Sequence, residues 1–559
     1  MKNRTTIGLL ACAQFVMVLD STVMNVSISQ VVDDLDTTVP MVQLAITAYT
    51  LVMAAFMLTG AKFGDIWGRR RAFGIGLAVY ACGSLTTALS PNITVLLIGW
   101  SGIEGLGAVL VIPAIAALTA ANYQGKERAL AFALLGGVSG AGAAAGPLIG
   151  GFVTSALTWR VVFAGEVLIV LYVLLRLNRI ADSHEKADVK LDRTGTVLSA
   201  LGMALTVFGI LKISTWGLFR PIGALEIAGR EITPFGLSAV PFVIAAGIGV
   251  LLWFAHWEQR VEARGGAPLL RTDLLRIPQM RAGLSTVLSQ YLILAGTFFV
   301  LPLYLQLVLG KDALQTGVKI LPISVAMMIT ATLGPRLATR LSPRKVVQIG
   351  MGLLFVSIAG VMASIEPSLT SPWFGISLAG FGAGLGLTIS QLGNIVMSSV
   401  TETRSSEAGG VQGVAQNLGQ SLGTALIGAV LLASLTTGFQ NQVQASPTIP
   451  ADVKSQIAKG TEQGLAMVSQ QDAEKIVAES GVSKTTGDEI LDLYSNEQIL
   501  ALKKALLVAS FLVFVGAWFA RRLPNEPLGE ALTEVAGPPG VWAPPDDTGA
   551  PVGDDLAPA

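Results

Sequence analysis

Ala61-Lys62-Phe63-Gly64-Asp65-Ile66-Trp67-Gly68-Arg69-Arg70-Arg71 is a short charged turn between two long apolar runs, about Met41 to Gly60 and Ala72 to Leu89. Each run is long enough to cross the roughly 30 Å hydrocarbon core of a bilayer as a helix. Two spans joined by so few residues must run antiparallel. Lys62, Arg69, Arg70 and Arg71 place their junction on the cytoplasmic side, because basic residues are retained there. Gly64 and Gly68 permit a tight turn, and Asp65 at a helix end can meet an arginine or the positive end of a helix dipole.

The rest of the chain has the same character. Of 559 residues, 52% are hydrophobic and 13% charged, far too apolar for soluble domains and consistent with an all-α polytopic membrane protein. Cys12 and Cys82 fall in apolar runs and His184 and His256 in stretches that read as loops, so neither a disulfide scaffold nor a Cys/His metal site is expected. The first apolar run, Thr6 to Ile28, is too long for a signal-peptide core, carries Asp20 and lacks a small-residue cleavage site; it reads as the first span. No GxxxxGK[ST] phosphate loop occurs, and no Ser/His/Asp or Cys/His constellation, so neither ATP hydrolysis nor another enzymatic activity is expected.

Windows of about 20 apolar residues predict spans near 7–29, 43–61, 72–90, 93–121, 129–153, 161–178, 194–213, 235–254, 283–309, 316–338, 346–364, 372–398, 409–435 and 503–520. That is fourteen spans with both termini on one side, and a cytoplasmic location for the termini puts most of the 37 Lys and Arg residues inside. An internal repeat is visible. Gly136, Gly137, Val138, Gly140, Gly146 and Gly150 recur 273 residues later as Gly409, Gly410, Val411, Gly413, Gly419 and Gly423. Arg336 to Lys345 is a worn copy of the opening turn at an offset of 274, with Thr339 and Ser342 in place of Asp65 and Gly68. The expected organisation is a six-helix half (1–180), two inserted helices with linkers (181–280) and a second six-helix half (281–521). The polar stretch 437–498 is expected outside, as short capping helices or a flexible loop. Residues 522–559, with seven carboxylates and many Pro, Gly and Ala, read as a disordered cytoplasmic tail.

The charged turn resembles the signature loop between the second and third helices of the major facilitator superfamily, with Ala61 where that family usually has glycine and Ile66 where it often has a basic residue. The resemblance makes Asp65, Gly68, Arg69 and Arg70 a cytoplasmic gating turn. Gly142-Ala-Ala-Ala-Gly146-Pro147-Leu-Ile-Gly150-Gly151 resembles the antiporter motif of that superfamily's drug:proton exchangers. Glycines four apart let a neighbouring backbone approach one helix face, and Pro147 loosens the local hydrogen bonding. In the family this is a packing seam between the halves that also limits proton leak. Leu19-Asp20-Ser21-Thr22-Val23-Met24-Asn25-Val26 resembles the first-span motif of the fourteen-helix drug:proton antiporters, with Ser29 where proline is usual. In the fourth span, Leu97 to Ala108 follows the family pattern, except that Ser101 replaces the proton-relay arginine and Glu104 the usual glutamine.

Carboxylates inside a span are costly and hence functional by default. Asp20, Glu104 and Glu166 are therefore the candidates for proton coupling or for pairing with a cationic substrate, although each can instead anchor a neighbouring helix. At 100° per residue Asp20 lies about 120° from the face shared by Gln14, Ser21 and Asn25, so it points at a neighbouring helix rather than at an open cavity. Spans nine to fourteen, as drawn, hold no buried Asp or Glu. They offer neutral groups, Gln391 and Asn394 on one span and Gln412, Gln416 and Gln420 every four residues along another; with Asn25 these could line a substrate cavity or simply zip helices together.

The resemblance implies a proton-coupled antiporter of the plasma membrane that exports drugs or other amphipathic small molecules by alternating access. It implies no cofactor beyond the proton gradient, no metal and no catalytic residue; the partners are the substrate, protons and lipid, with no nucleic acid and a monomer as working unit. A dedicated exporter of one metabolite, lipid or self-made antibiotic is the nearer alternative. A transport-dead scaffold or sensor, suggested by the missing arginine and the long outer loop, is the further one.

Overall fold

The computed structural model describes residues 4–123, 125–181, 191–219, 221, 225–227, 230–338, 340–367, 371–400, 405–461, 465 and 467–525. Apolar runs of membrane length become helices, because only a helix satisfies its own backbone in hydrocarbon. The first, α1 (Arg4–Val26), breaks at Ser27 and resumes as α2 (Ile28–Asp34); α3 (Val39–Trp67) and α4 (Arg69–Ala88) follow. Gly68 alone separates α3 from α4, and its φ of 97° is a conformation open to glycine; Gly64 stays helical. Next, α5 (Ile93–Leu96) passes through a π-helical segment, Leu97–Glu104, into α6 (Gly105–Asn122), and α7 (Gly125–Ala156) and α8 (Arg160–Leu175) complete the first series.

The middle of the chain holds α9 (Arg193–Leu211), the short α10 (Ile213–Trp216), a hairpin of β1 (Leu225–Ile227) and β2 (Arg230–Ile232), and α11 (Val240–Ala263). Then come α12 (Pro278–Leu303), ending in a π turn at Tyr304–Val308, α13 (Ala313–Ala338), α14 (Pro343–Ser364), α15 (Trp373–Met397) and α16 (Ser405–Ala445). The short α17 (Ala451–Gly460) and α18 (Gln470–Glu479) lead to α19 (Lys484–Ala520). Among the described residues, eleven helices are long and apolar enough to cross a membrane. At the other three expected positions stand α4, which opens on three arginines, α7, in which the described residues give an apolar stretch over Ala145–Ala156, and α8, only 16 residues long.

The repeat reappears in the packing. Gly146 and Gly150 of α7 lie against Thr22 and Val23 of α1, and their counterparts Gly419 and Gly423 of α16 lie against the carbonyls of Leu288 and Leu292 on α12. In turn α7 meets α13 through Gly151 at Ala313, while α16 meets α3 through Gly410 and Gly413 at Leu58 and Met57. A side chain at Gly151 or Gly423 would stand within 2.4 Å of a facing carbonyl, so the backbones touch and only glycine fits. The antiporter-motif glycines are thus a seam with two faces, Gly142, Gly146 and Gly150 towards α1 and Gly151 with Pro147 towards α13.

Several boundaries differ from the sequence reading. The helices α16 and α19 have 41 and 37 residues. At 1.5 Å per residue they run to about 60 and about 55 Å, well past the hydrocarbon core. Polar residues sustain these extensions because α17, α18 and the adjoining segments pack on them: in those segments the Val468 amide donates to the hydroxyl of Tyr494 at 2.8 Å, and Thr436 and Glu489 hold Leu465 and Ser446. The segment 437–498 is thus largely helical cap. His256 lies within α11, not in a loop, because that helix runs on to Ala263. Glu258 and Glu497 are buried as well, so buried acids outside α1 to α8 are not absent. The window method missed both because each sits in a polar helix extension beyond the apolar run. Thr339 and residues 526–559 lie outside the described residues.

Candidate functional site

Asp20, Glu104 and Glu166, from α1, the π segment and α8, converge. One carboxylate oxygen of each lies within 4.8 Å of the other two, and all three side chains are at most 1% exposed. The convergence follows from helix contacts made by small residues. A side chain at Gly83 of α4 would collide with the backbone of Glu104, and one at Gly107 of α6 with that of Tyr80, so α4 sits backbone to backbone with the end of the π segment and the start of α6. The wide turn of the π segment carries both Trp100 and Glu104; such insertions re-aim side chains and recur at functional sites.

The three acids are not equally satisfied. Asp20 Oδ1 accepts from Trp100 Nε1 at 2.8 Å, and the indole stacks on Tyr49 of α3 with ring centroids 4.8 Å apart. Glu166 Oε2 accepts from the hydroxyls of Tyr80 and Ser84 on α4, both at 3.0 Å. Neither oxygen of Glu104 receives a well-formed hydrogen bond, and Asp20 Oδ2 and Glu166 Oε1 are also without one. None of these bonds comes from Lys, Arg or His. Three carboxyl groups this close in a dry interior are not all charged without a counter-charge among them. Among the described residues it is the grouping whose donor spacing also suits a metal ion.

Reading the sequence found the three acids and missed their donors, Trp100, Tyr80 and Ser84. The signal was there: Tyr80 and Ser84 are four apart on one helix face, and Trp100 stands four before Glu104. Asp20 faces a neighbouring helix, as its angular position predicts, while Ser21 and Asn25 are half-buried. Where the relay arginine is usual, Ser101 Oγ donates to the Ala45 carbonyl at 2.8 Å and is 3% exposed. Ser29 also has a use for what proline lacks: its amide and hydroxyl both donate to Gln306 Oε1, while Gln306 Nε2 donates to the Val26 carbonyl left free at the Ser27 break.

The other candidates are dispersed. Gln391 is buried and donates to Ser390, Asn394 is exposed, and Gln412, Gln416 and Gln420 are half-buried along α16, with Gln412 Oε1 unpaired. In the basic turn, Arg69 donates to the Ala117 carbonyl at 3.3 Å and Arg70 to that of Ile180 at 3.2 Å, tying the α3–α4 junction to the last turns of α6 and to the segment that follows α8. At the face opposite the termini, Ser155 Oγ accepts from the Leu314 amide at 2.9 Å and lies 3.5 Å from Asp312, so α7 and α13 are latched there.

Residues 10–424 match the model of the Major Facilitator Superfamily. The "Probable actinorhodin transporter" of Streptomyces coelicolor is 28% identical over 94% of this chain and 92% of its own length. The "Tetracenomycin C resistance and export protein" of Streptomyces glaucescens is 31% identical over 78% of this chain and 77% of its own. A bacterial homologue of the human lysosomal transporter Spinster, solved in an inward-facing, unoccupied conformation, shares the fold at 14% identity. Its TM-score is 0.59, over 93% of this chain and 98% of that one.

Proposed function

Because this chain belongs to the major facilitator superfamily, a family of membrane transporters and not of enzymes, we propose that it is a proton-coupled exporter of drugs or antibiotic-like amphipathic molecules. The observation that carries the reading is the base-free cluster of Asp20, Glu104 and Glu166, buried where the bilayer supplies no water to solvate three charges. Protons exchanged there alter the Asp20–Trp100 bond. Trp100 is stacked on Tyr49 of α3, the helix that contacts α16 through Gln43 to the Thr424 carbonyl and Ser421 to the Thr47 carbonyl. Proton occupancy in α1–α8 thereby biases a seam with the other repeat unit. A reciprocating motion of residues 1–180 against 281–521, with 181–280 as an inserted pair, gives alternating access. In this reading fourteen helices cross the plasma membrane, both termini are cytoplasmic and the chain works as a monomer.

A dedicated antibiotic exporter is the second reading, supported by relatives named for actinorhodin and tetracenomycin. The test is proton movement from proteoliposomes on adding lipophilic cations and, separately, polycyclic aromatic antibiotics, with proton or sodium gradients. Substrate-evoked proton flux that Asp20→Asn or Glu104→Gln abolishes in folded protein supports antiport. A flux that needs sodium assigns the cluster to a cation instead, and no response to either class rejects drug export.

A further inference from the structure

On the outer flank of α1, α7 and α8 lies a groove of about 560 Å³ walled by Ala11, Cys12, Phe15, Val138, Leu168, Ile169 and Tyr172, with almost no polar surface. It is separate from the carboxylate cluster. Leu168 and Tyr172 are 69% and 47% exposed, and in the fourteen-span reading all three helices cross the membrane, so the groove opens onto lipid. One end is charged. The Arg176 guanidinium lies over the Tyr172 ring at 4.9 Å, and Arg179 follows one turn later. The backbone carbonyl of Arg179 accepts from Thr6, two residues after Arg4, which brings the start of α1 to the same end. Arg4, Arg176 and Arg179 form no ion pair among the described residues.

We propose that this is a binding site for one anionic phospholipid of the terminus-side leaflet, its acyl chain in the groove and its phosphate on Arg176, with Arg4 and Arg179 around it. The occupant follows from two complementarities. An apolar slot at span depth takes a hydrocarbon chain, and unpaired arginines at the end of a span take a phosphate, for which a guanidinium is the fitting partner. The bound chain buttresses α1 against α7 and α8, on the face of α1 away from Trp100. The proposal stands independently of proton coupling.

The full-length protein in detergent is titrated with phosphatidylglycerol and with phosphatidylcholine of identical chains, and bound lipid is counted by native mass spectrometry. The expected result is one tight adduct favouring phosphatidylglycerol by about fivefold for each arginine engaged. Arg176→Gln lowers that preference by the same factor; Ala11→Phe fills the slot and removes the tight adduct for both lipids. Leu168→Ala, at an exposed position that leaves folding intact, weakens both adducts. Equal occupancy by the two lipids in the wild type overturns the proposal, as does a tight adduct indifferent to Leu168→Ala and Arg176→Gln.

Discussion

Under the proposed proton exchange Asp20 has two separable roles, one structural and one chemical, and substitutions of different shape divide them. The indole N–H of Trp100, 1% exposed, has Asp20 Oδ1 at 2.8 Å as its acceptor. Asp20→Asn keeps an oxygen there and removes the exchangeable proton. Asp20→Leu is of similar bulk and leaves the N–H buried and unpaired, which costs about 1–3 kcal/mol. The expected order of thermal stability in detergent is wild type and Asp20→Asn close together, with Asp20→Leu well below. Trp100→Phe removes the donor as well as part of the stack on Tyr49. In the cycle of Asp20→Leu, Trp100→Phe and the double variant, the double variant is less destabilised than the sum by about 1–2 kcal/mol, because a missing donor cannot be orphaned. Proton flux in proteoliposomes reads the proposed chemical role: Asp20→Asn is expected to be folded and uncoupled. Equal stability of Asp20→Asn and Asp20→Leu, or a cycle additive within about 0.5 kcal/mol, would refute the reasoning and leave the bond without energetic weight.

At the face opposite the termini, Asp34 Oδ2 accepts from both Trp159 Nε1 and Arg160, each at 2.9 Å. Asp34→Ala should therefore destabilise more than Arg160→Ala. The ion pair itself, with side chains 28% and 35% exposed, is screened and worth under about 1 kcal/mol, whereas the indole loses its acceptor; thermal melts of both variants check the order. Gly151→Val drives a branched side chain into the Ala313 carbonyl. It should force α7 from α13, lower transport, and raise the reactivity of a cysteine placed at Ser155 towards a water-soluble maleimide. Burial and the nearby Asp472 and Asp34 push the Asp33 carboxyl up from its ordinary range. A raised acid binds its proton more tightly in the folded state, so its contribution is present at low pH and lost as pH rises through its folded pKa. Limited proteolysis around 451–479 should accordingly become faster with rising pH across the carboxylate range, and Asp33→Asn should flatten that dependence.

Much of this molecule was legible as a string. Apolar length gave the helices, because hydrocarbon leaves the backbone no alternative, and arginines at 69–71 with Gly68 gave the first turn. The glycine repeat gave the symmetric packing of α7 and α16, since glycine four apart has one steric use in a membrane. The three acids stood out because each is expensive where it lies. Local pattern failed where polar residues continue a helix, as at 484–502 and 436–445, since a polar extension is held by a partner, here α17 and α18, that no window of sequence contains. Nor could spacing say that Asp20, Glu104 and Glu166, 84 and 62 residues apart in turn, share one pocket while Asn394 is exposed. Periodicity fixes which face of its own helix a residue occupies. Which faces meet is settled by helix–helix packing at small residues such as Gly83 and Gly107, and only the tertiary structure decides that.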